Sequence, residues 1–142
     1  MTLLRTVLCG GVIAASLISN AFADEFRARL GRVPVDSRTQ SDIAGIGHAT
    51  AELDGDRLRI KGDFAGLLGA ATAADLRMGV AKGVRGPVIS SLRIDSKSDG
   101  ELTGSVRLND EQLAALRAGR LYIQIDSEIA PDGNLWGWLL SE

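Results

Sequence analysis

The sequence predicts an all-β fold, an antiparallel β-sandwich, and three observations carry that prediction. Apolar residues recur at every second position through most of the chain, the period of a strand with one buried face. Clusters of Gly, Pro, Asp and Asn separate these runs at short intervals, as turns between antiparallel neighbours require. A single stretch, LNDEQLAALRAGR, has helical spacing instead, and it predicts one short helix before the penultimate strand. Sandwiches of the immunoglobulin-like or superoxide-dismutase-like kind have this signature.

The first residues read as an address. Residues 1–5 form a short positive start, residues 7–17 are mostly apolar with glycine and serine breaks, and Ala21 and Ala23 put small residues where a signal peptidase reads. A signal peptide is therefore expected over residues 1–23 and a single domain over residues 24–142, in a protein that is periplasmic or secreted. The apolar run is shorter than the roughly 20 residues that span a bilayer, so no membrane span is expected after cleavage. Cleavage removes Cys9, the one cysteine, and with it any disulfide or thiol nucleophile. The 119 residues left of 142 suit one domain with one core.

Strands follow in order from residue 26. Residues 26–33 are the first. In GHATAELDGDRLRIKGDF, Ala49, Ala51 and Leu53 alternate with His48, Thr50 and Glu52; Leu58, Ile60 and Phe64 then alternate with Arg57, Arg59, Lys61 and Asp63. Asp54-Gly55 between the two runs predicts a tight hairpin with positive φ angles. Residues 71–78, 88–94, 102–108, 121–127 and 134–140 complete the set. The glycine-rich GVAKGVRGPV reads as an irregular crossover; it is no phosphate loop, because it lacks the Gly-Lys-Ser/Thr ending and no helix follows it. In the helix, Asn109 caps the first turn, Gln112 returns a bond to its backbone, Leu113 and Leu116 share a face, and Gly119 closes the end. Leu121, Ile123 and Ile125 are expected in the core with Leu135 and Leu139.

Charge narrows the function. Lys and Arg number 16 against 18 Asp and Glu, and loss of Arg5 with the leader takes the net charge from −2 to about −3. No basic footprint for nucleic acid is present and no like-charged tail. His48, the single histidine, falls on the polar side of an early strand, and no serine motif marks a Ser-His-Asp arrangement. Asp126 with Glu128 or Asp132 is the nearest carboxylate pair for glycoside hydrolysis, but acids in an end loop are common. Asp132 to Asn134 read as a turn, three residues being too few for a calcium loop. No catalytic residue, cofactor or metal is predicted.

The runs FRARLGRVPVDSRTQSDIAGIGHATAELDGDRLRIKGDFAGL, AATAADLRMGVAKGVRGPVISSL and GELTGSVRLNDEQLAALRAGRLYIQIDSEIAPDGNLWGWL, in this order, resemble the CHRD domain, named after chordin and common in exported bacterial proteins. The resemblance covers nearly all of residues 25–140, and LRAGRLYIQI and PDGNLWG are its most specific segments. It implies an all-β sandwich in an exported protein and little about activity. Such domains often carry histidines in an A-H-x-H arrangement in the segment that resembles residues 74–78, and another in an I-H-T arrangement after the strand that resembles residues 121–125. Two histidines at i and i+2, with a third from a neighbouring strand, would converge as a metal or proton-handling set. Here those positions are Asp75, Arg77 and Asp126. The carboxylates that remain suit calcium or magnesium better than a redox metal.

Asp75 and Arg77 alternate onto one side of TAADLRMG, and Asp126 from a neighbouring strand completes an expected ion-pair network in place of the histidines. Trp136 and Trp138 likewise share a face, opposite Leu135 and Leu139, where the family's usual ending, resembling I-R-G-Q-L, has polar residues. Pairing with residues 121–127 across APDGN would set Trp136 near Asp126 and Trp138 near Gln124, with Tyr122 further along. A loop or the N-terminal segment covering the tryptophans is the alternative. These seven residues predict a non-enzymatic module that binds an envelope or extracellular protein or glycan, with the tryptophan pair offering a contact for an oligomer. A metal-dependent enzyme or redox protein of the superoxide-dismutase-like type is the alternative function.

Overall fold

The structure, a computed structural model, describes residues 23–142, and residues 1–22 of the expected signal peptide lie outside it. Strands β1 (Asp24–Arg32), β2 (Ile46–Asp54), β3 (Arg57–Ala65), β4 (Ala71–Met78), β5 (Val88–Ile94) and β6 (Gly100–Arg107) precede helix α1 (Asp110–Arg117). Strands β7 (Leu121–Ser127), β8 (Leu135–Trp138) and β9 (Leu140–Ser141) follow it. Alternation decides which side chains turn inward: in β1, Phe26, Ala28 and Leu30 are buried between exposed Glu25, Arg27 and Arg29. All five expected core residues of the last strands, Leu121, Ile123, Ile125, Leu135 and Leu139, are fully buried in one cluster that runs from Phe26 to Leu139.

The strands close into an antiparallel β-barrel, which corrects the expected sandwich. Eight strands run in the order β2-β3-β6-β5-β4-β7-β8-β1, and β1 returns to pair with β2; β9 pairs with Phe26 and Arg27 of β1. Closure depends on two strands that change neighbours. Residues 24–30 of β1 pair with β2, whereas Gly31 and Arg32 pair with β8. Residues 88–92 of β5 pair with β4, and only Arg93 and Ile94 pair with β6. At the first junction Leu30 packs against Gly47 and Gly137, where any Cβ would meet the Leu30 side chain and the neighbouring carbonyls. At the second, Leu92 lies directly over Gly104. Alternation reports which face of a strand is buried and says nothing about whether its edges meet, so both architectures satisfy the same pattern.

Connections differ from expectation in two places. The turn between β2 and β3 consists of Gly55 and Asp56, and Gly55 alone has positive φ (63°), as a hairpin with glycine at its first central position requires. Residues 79–87 join adjacent strands and are a long hairpin loop, not a crossover. Met78 and Pro87 close it with a 3.1 Å backbone bond. Helix α1 forms as expected: Asn109 accepts from Gln112 N at 2.8 Å, Gln112 Oε1 accepts from Asn109 N at 2.9 Å, and Gly119 follows with φ 71°. It precedes β7 and so stands three strands from the end, because the expected final strand divides into β8 and β9. Among the described residues no helix is long and apolar enough to cross a membrane.

Candidate functional site

Strand β7 departs from the pattern of its neighbours. Leu121, Ile123 and Ile125 point inward, yet the outward Tyr122 and Gln124 are 0 % and 2 % exposed and Asp126 is only partly exposed. Some part of the chain must cover the outer face of this strand. Two segments do so. The loop over residues 79–87 docks through Gly86, whose N–H donates to Tyr122 Oη at 2.9 Å and whose carbonyl accepts from it at 3.3 Å. From the other side Val33, Ile43 and Ala130 form a small apolar cluster against Trp136.

Register sets the outward side chains of β4, β7 and β8 in rows. Arg77, Tyr122 and Trp138 form one, Asp75, Gln124 and Trp136 the next, and Ala73 faces Asp126 beyond them. The tryptophans thus sit two residues from their expected partners: Trp136 faces Gln124 rather than Asp126, and Trp138 faces Tyr122 rather than Gln124. The cause lies in the β7–β8 turn, which is longer than APDGN. Ser127 Oγ donates to Asn134 Oδ1 at 2.8 Å and accepts from Ala130 N at 3.0 Å, and Asn134 Nδ2 donates to the Ala44 carbonyl at 2.8 Å. These bonds draw Asn134 into the interior and bring the first paired residue to Leu135.

The three aromatics pack as a stack, with Tyr122 buried and the two tryptophans part-exposed. Tyr122 lies beneath, its ring centroid 4.4 Å from Trp138 at a 35° tilt and 5.9 Å from Trp136 edge to face. The tryptophans meet each other edge to face at 5.8 Å, and each keeps part of its surface in solvent. The Arg85 guanidinium lies 5.6 Å above the Trp136 ring, and its Nη1 donates to the Asp132 carbonyl at 3.0 Å.

Polar groups fill the rest of the face. Arg77 Nη2 lies 3.3 Å from Asp75 Oδ2, with both side chains largely shielded. Asp126 accepts a 2.9 Å bond from Gln124 Nε2. Burial pushes the Asp126 carboxyl above the ordinary carboxylate value; the Gln124 bond opposes this, the Asp75 charge adds to it, and the Arg77 charge subtracts. Of the expected network the structure shows the Asp75–Arg77 pair, while Asp126 is bonded to Gln124 and stands opposite Ala73. Among the described residues, Arg77 Nε and Gln124 Oε1 are buried without a hydrogen-bond partner. The face offers aromatic surface, a cation and carboxylates, but no nucleophile held by a base. His48 lies elsewhere, exposed on β2, with Nδ1 3.9 Å from Asp63 Oδ1. It lines an open groove on β2, β3 and β6 with Lys61, Asp63 and Glu101, where charges of both signs are solvated. Among the described residues no three of His, Cys, Asp and Glu come together as a metal-holding group.

Sequence reasoning missed Arg85 and Gly86. Both sit in a glycine-rich loop without periodicity, so nothing local aims them at β7. One signal was available: LYIQIDS places uncharged Tyr122 and Gln124 at outward positions where the strands of the opposite wall carry Arg, Lys, Asp and Glu.

A closed antiparallel barrel with one partly covered aromatic and polar face defines the class as a small all-β barrel domain. The CHRD domain model matches residues 26–139, and the chain belongs to the CHRD domain family. No curated protein and no solved structure gives a significant match.

Proposed function

We propose that this chain is an exported, non-enzymatic module that binds an envelope or extracellular protein or glycan on the outer face of β4, β7 and β8. The observation that carries the reading is the tryptophan pair. Trp136 and Trp138 are part-exposed and held by Tyr122, itself fixed to Gly86, so their surface is pre-ordered and a ligand that covers it finds the rings already in place. Arg85, Asp75 and Asp126 around them supply polar contacts of both signs. In this reading Asp75, Arg77 and Asp126 occupy the positions where the family often has histidines, and their role is to shape the face rather than to hold a metal.

Tryptophan fluorescence with a neutral aqueous quencher tests it. Quenchable, red-shifted emission, protected when the chain is mixed with an envelope extract and abolished as a response in Trp136→Ala, is the expected result. Blue, protected emission in a demonstrated monomer would remove the site. Stoichiometric tight zinc or copper in the purified protein would overturn the non-metal reading.

A further inference from the structure

We infer that the loop over residues 79–88 is a contact for an anionic lipid surface. From residue 79 to residue 88 the chain has two basic residues, Lys82 and Arg85, and no acidic one, in a protein whose net charge is negative. The same stretch exposes Val80, Val84 and Val88, and Val80, at 79 %, is the most exposed large apolar side chain among the described residues. Exposed valines interleaved with cations are the composition of a segment that partitions into a headgroup region.

The loop cannot fold these valines away. Gly79 N donates to the Arg120 carbonyl at 2.9 Å, Arg120 Nη1 returns a bond to the Gly79 carbonyl at 3.1 Å, Val84 N donates to the Ala81 carbonyl at 3.1 Å, and Gly86 is tied to Tyr122. Leu140 extends the apolar surface: it is exposed and lies against Gly119, next to Arg120. Among the described residues Lys82 and Arg120 form no ion pair with a carboxylate and Arg85 rests on Trp136; at this end of the barrel Asp24 is tied to Arg117 and Asp56 to Arg107, while Asp110 and Glu111 of α1 are exposed without an ion pair. The opposite end supplies an internal comparison. Val35, Ile46, Leu68 and Ile129 are exposed there too, but among Asp36, Asp42, Asp95, Asp99 and Glu128. Apolar exposure is common to both ends, and it is the loop itself, with Lys82 and Arg85 and no acid among its valines, that sets this one apart.

Vesicle co-sedimentation tests the inference on the chain from Asp24, within which all the barrel strands and the whole core lie. Vesicles of phosphatidylglycerol and phosphatidylcholine should carry the protein down, vesicles of phosphatidylcholine alone should not, and added salt should weaken the association. Each basic residue near an anionic surface contributes about fivefold in partitioning, so Lys82→Glu, which removes one charge and adds its opposite, should lower it roughly 25-fold. Val80→Ser should lower it several-fold, and Lys97→Glu at the opposite end should leave it unchanged. Melting temperatures of all three variants establish that they are folded. Equal association with neutral vesicles, equal loss in the Lys82 and Lys97 variants, or no association at all would each overturn the lipid contact. Capture of an acidic envelope protein through Lys82 without any vesicle binding would replace lipid by protein and overturn it as well.

Discussion

Asp126 shows how a single residue records its surroundings. Its carboxylate is partly withdrawn from water and held above its ordinary pKa of 3.8, chiefly by burial. Between that value and the raised native one, the folded chain binds the proton more tightly than the unfolded chain does. Stability attributable to Asp126 is therefore complete below pH 3.8 and falls as pH rises through the native pKa. Asp126→Asn keeps the oxygen that accepts from Gln124 and removes the charge. Urea titrations at pH 3 and pH 7 should show the variant equal to the parent at the lower pH. At the higher pH it should be the more stable, by a small margin because the group is half in solvent. A variant less stable at pH 7 than at pH 3 relative to the parent would show that the Gln124 bond, with the Arg77 charge, outweighs burial at this site. The pairing of Asp75 with Arg77 was legible because alternation places i and i+2 on one face, whereas the place of Asp126 opposite Ala73 depends on the β4–β7 register. The burial of Gln124 and Tyr122 was not, because the segments that cover them come from residues 33–44 and 79–87, remote in sequence.

Elements form where period and capping agree, and their interiors obey the pattern closely. Ile123 sits in the middle of β7, fully buried, between Leu76 of β4 and Gly137 of β8. Its replacement by Ala should cost roughly 2 to 5 kcal/mol in a denaturant titration, the range for a large core side chain that leaves a cavity. The contrasting case is Gly137, which a sequence reader passes over as a gap in an aromatic strand. A methyl group there would meet the Arg29 carbonyl and Leu30, so Gly137→Ala should overpack the β1–β8 junction and cost on the order of 1 to 3 kcal/mol despite adding apolar surface. The same substitution at Gly83, whose added Cβ meets nothing, provides the comparison for backbone strain alone, since its φ is 84°. Helix α1 was read at its start because Asn109 and Gln112 lie three residues apart, and at its end because Gly119 follows directly on the last turn. The division of β8 from β9 was not legible, since it arises from β1 drawing residues 140–141 onto its own edge.

At the scale of the whole molecule, the lesson is that closure is a property no single element carries. Every strand could serve a sandwich or a barrel, and the choice rests on the two strands that change neighbours: β1, which joins Ala28 to Ala49 and Gly31 to Trp136, and β5, which joins Leu92 to Ala74 and Arg93 to Thr103. The pairing of Gly31 with Trp136 unites the two ends of the chain. Nonlocal closure of this kind forms slowly, because the loop entropy is lost before the contacts are gained. It also leaves the barrel without a strand that can separate first: opening the β1–β8 junction would expose Leu30, Leu135 and Leu139, all fully buried, in one step. Unfolding should accordingly be cooperative. Tryptophan emission reports β8 at the junction, and far-ultraviolet circular dichroism reports the entire sheet, so the two probes sample the part and the whole. Their urea transitions should coincide in midpoint and slope, as an all-or-none transition demands. A fluorescence transition at clearly lower urea than the dichroism would mean that the junction opens on its own, leaving an open sheet that keeps most of its strands paired.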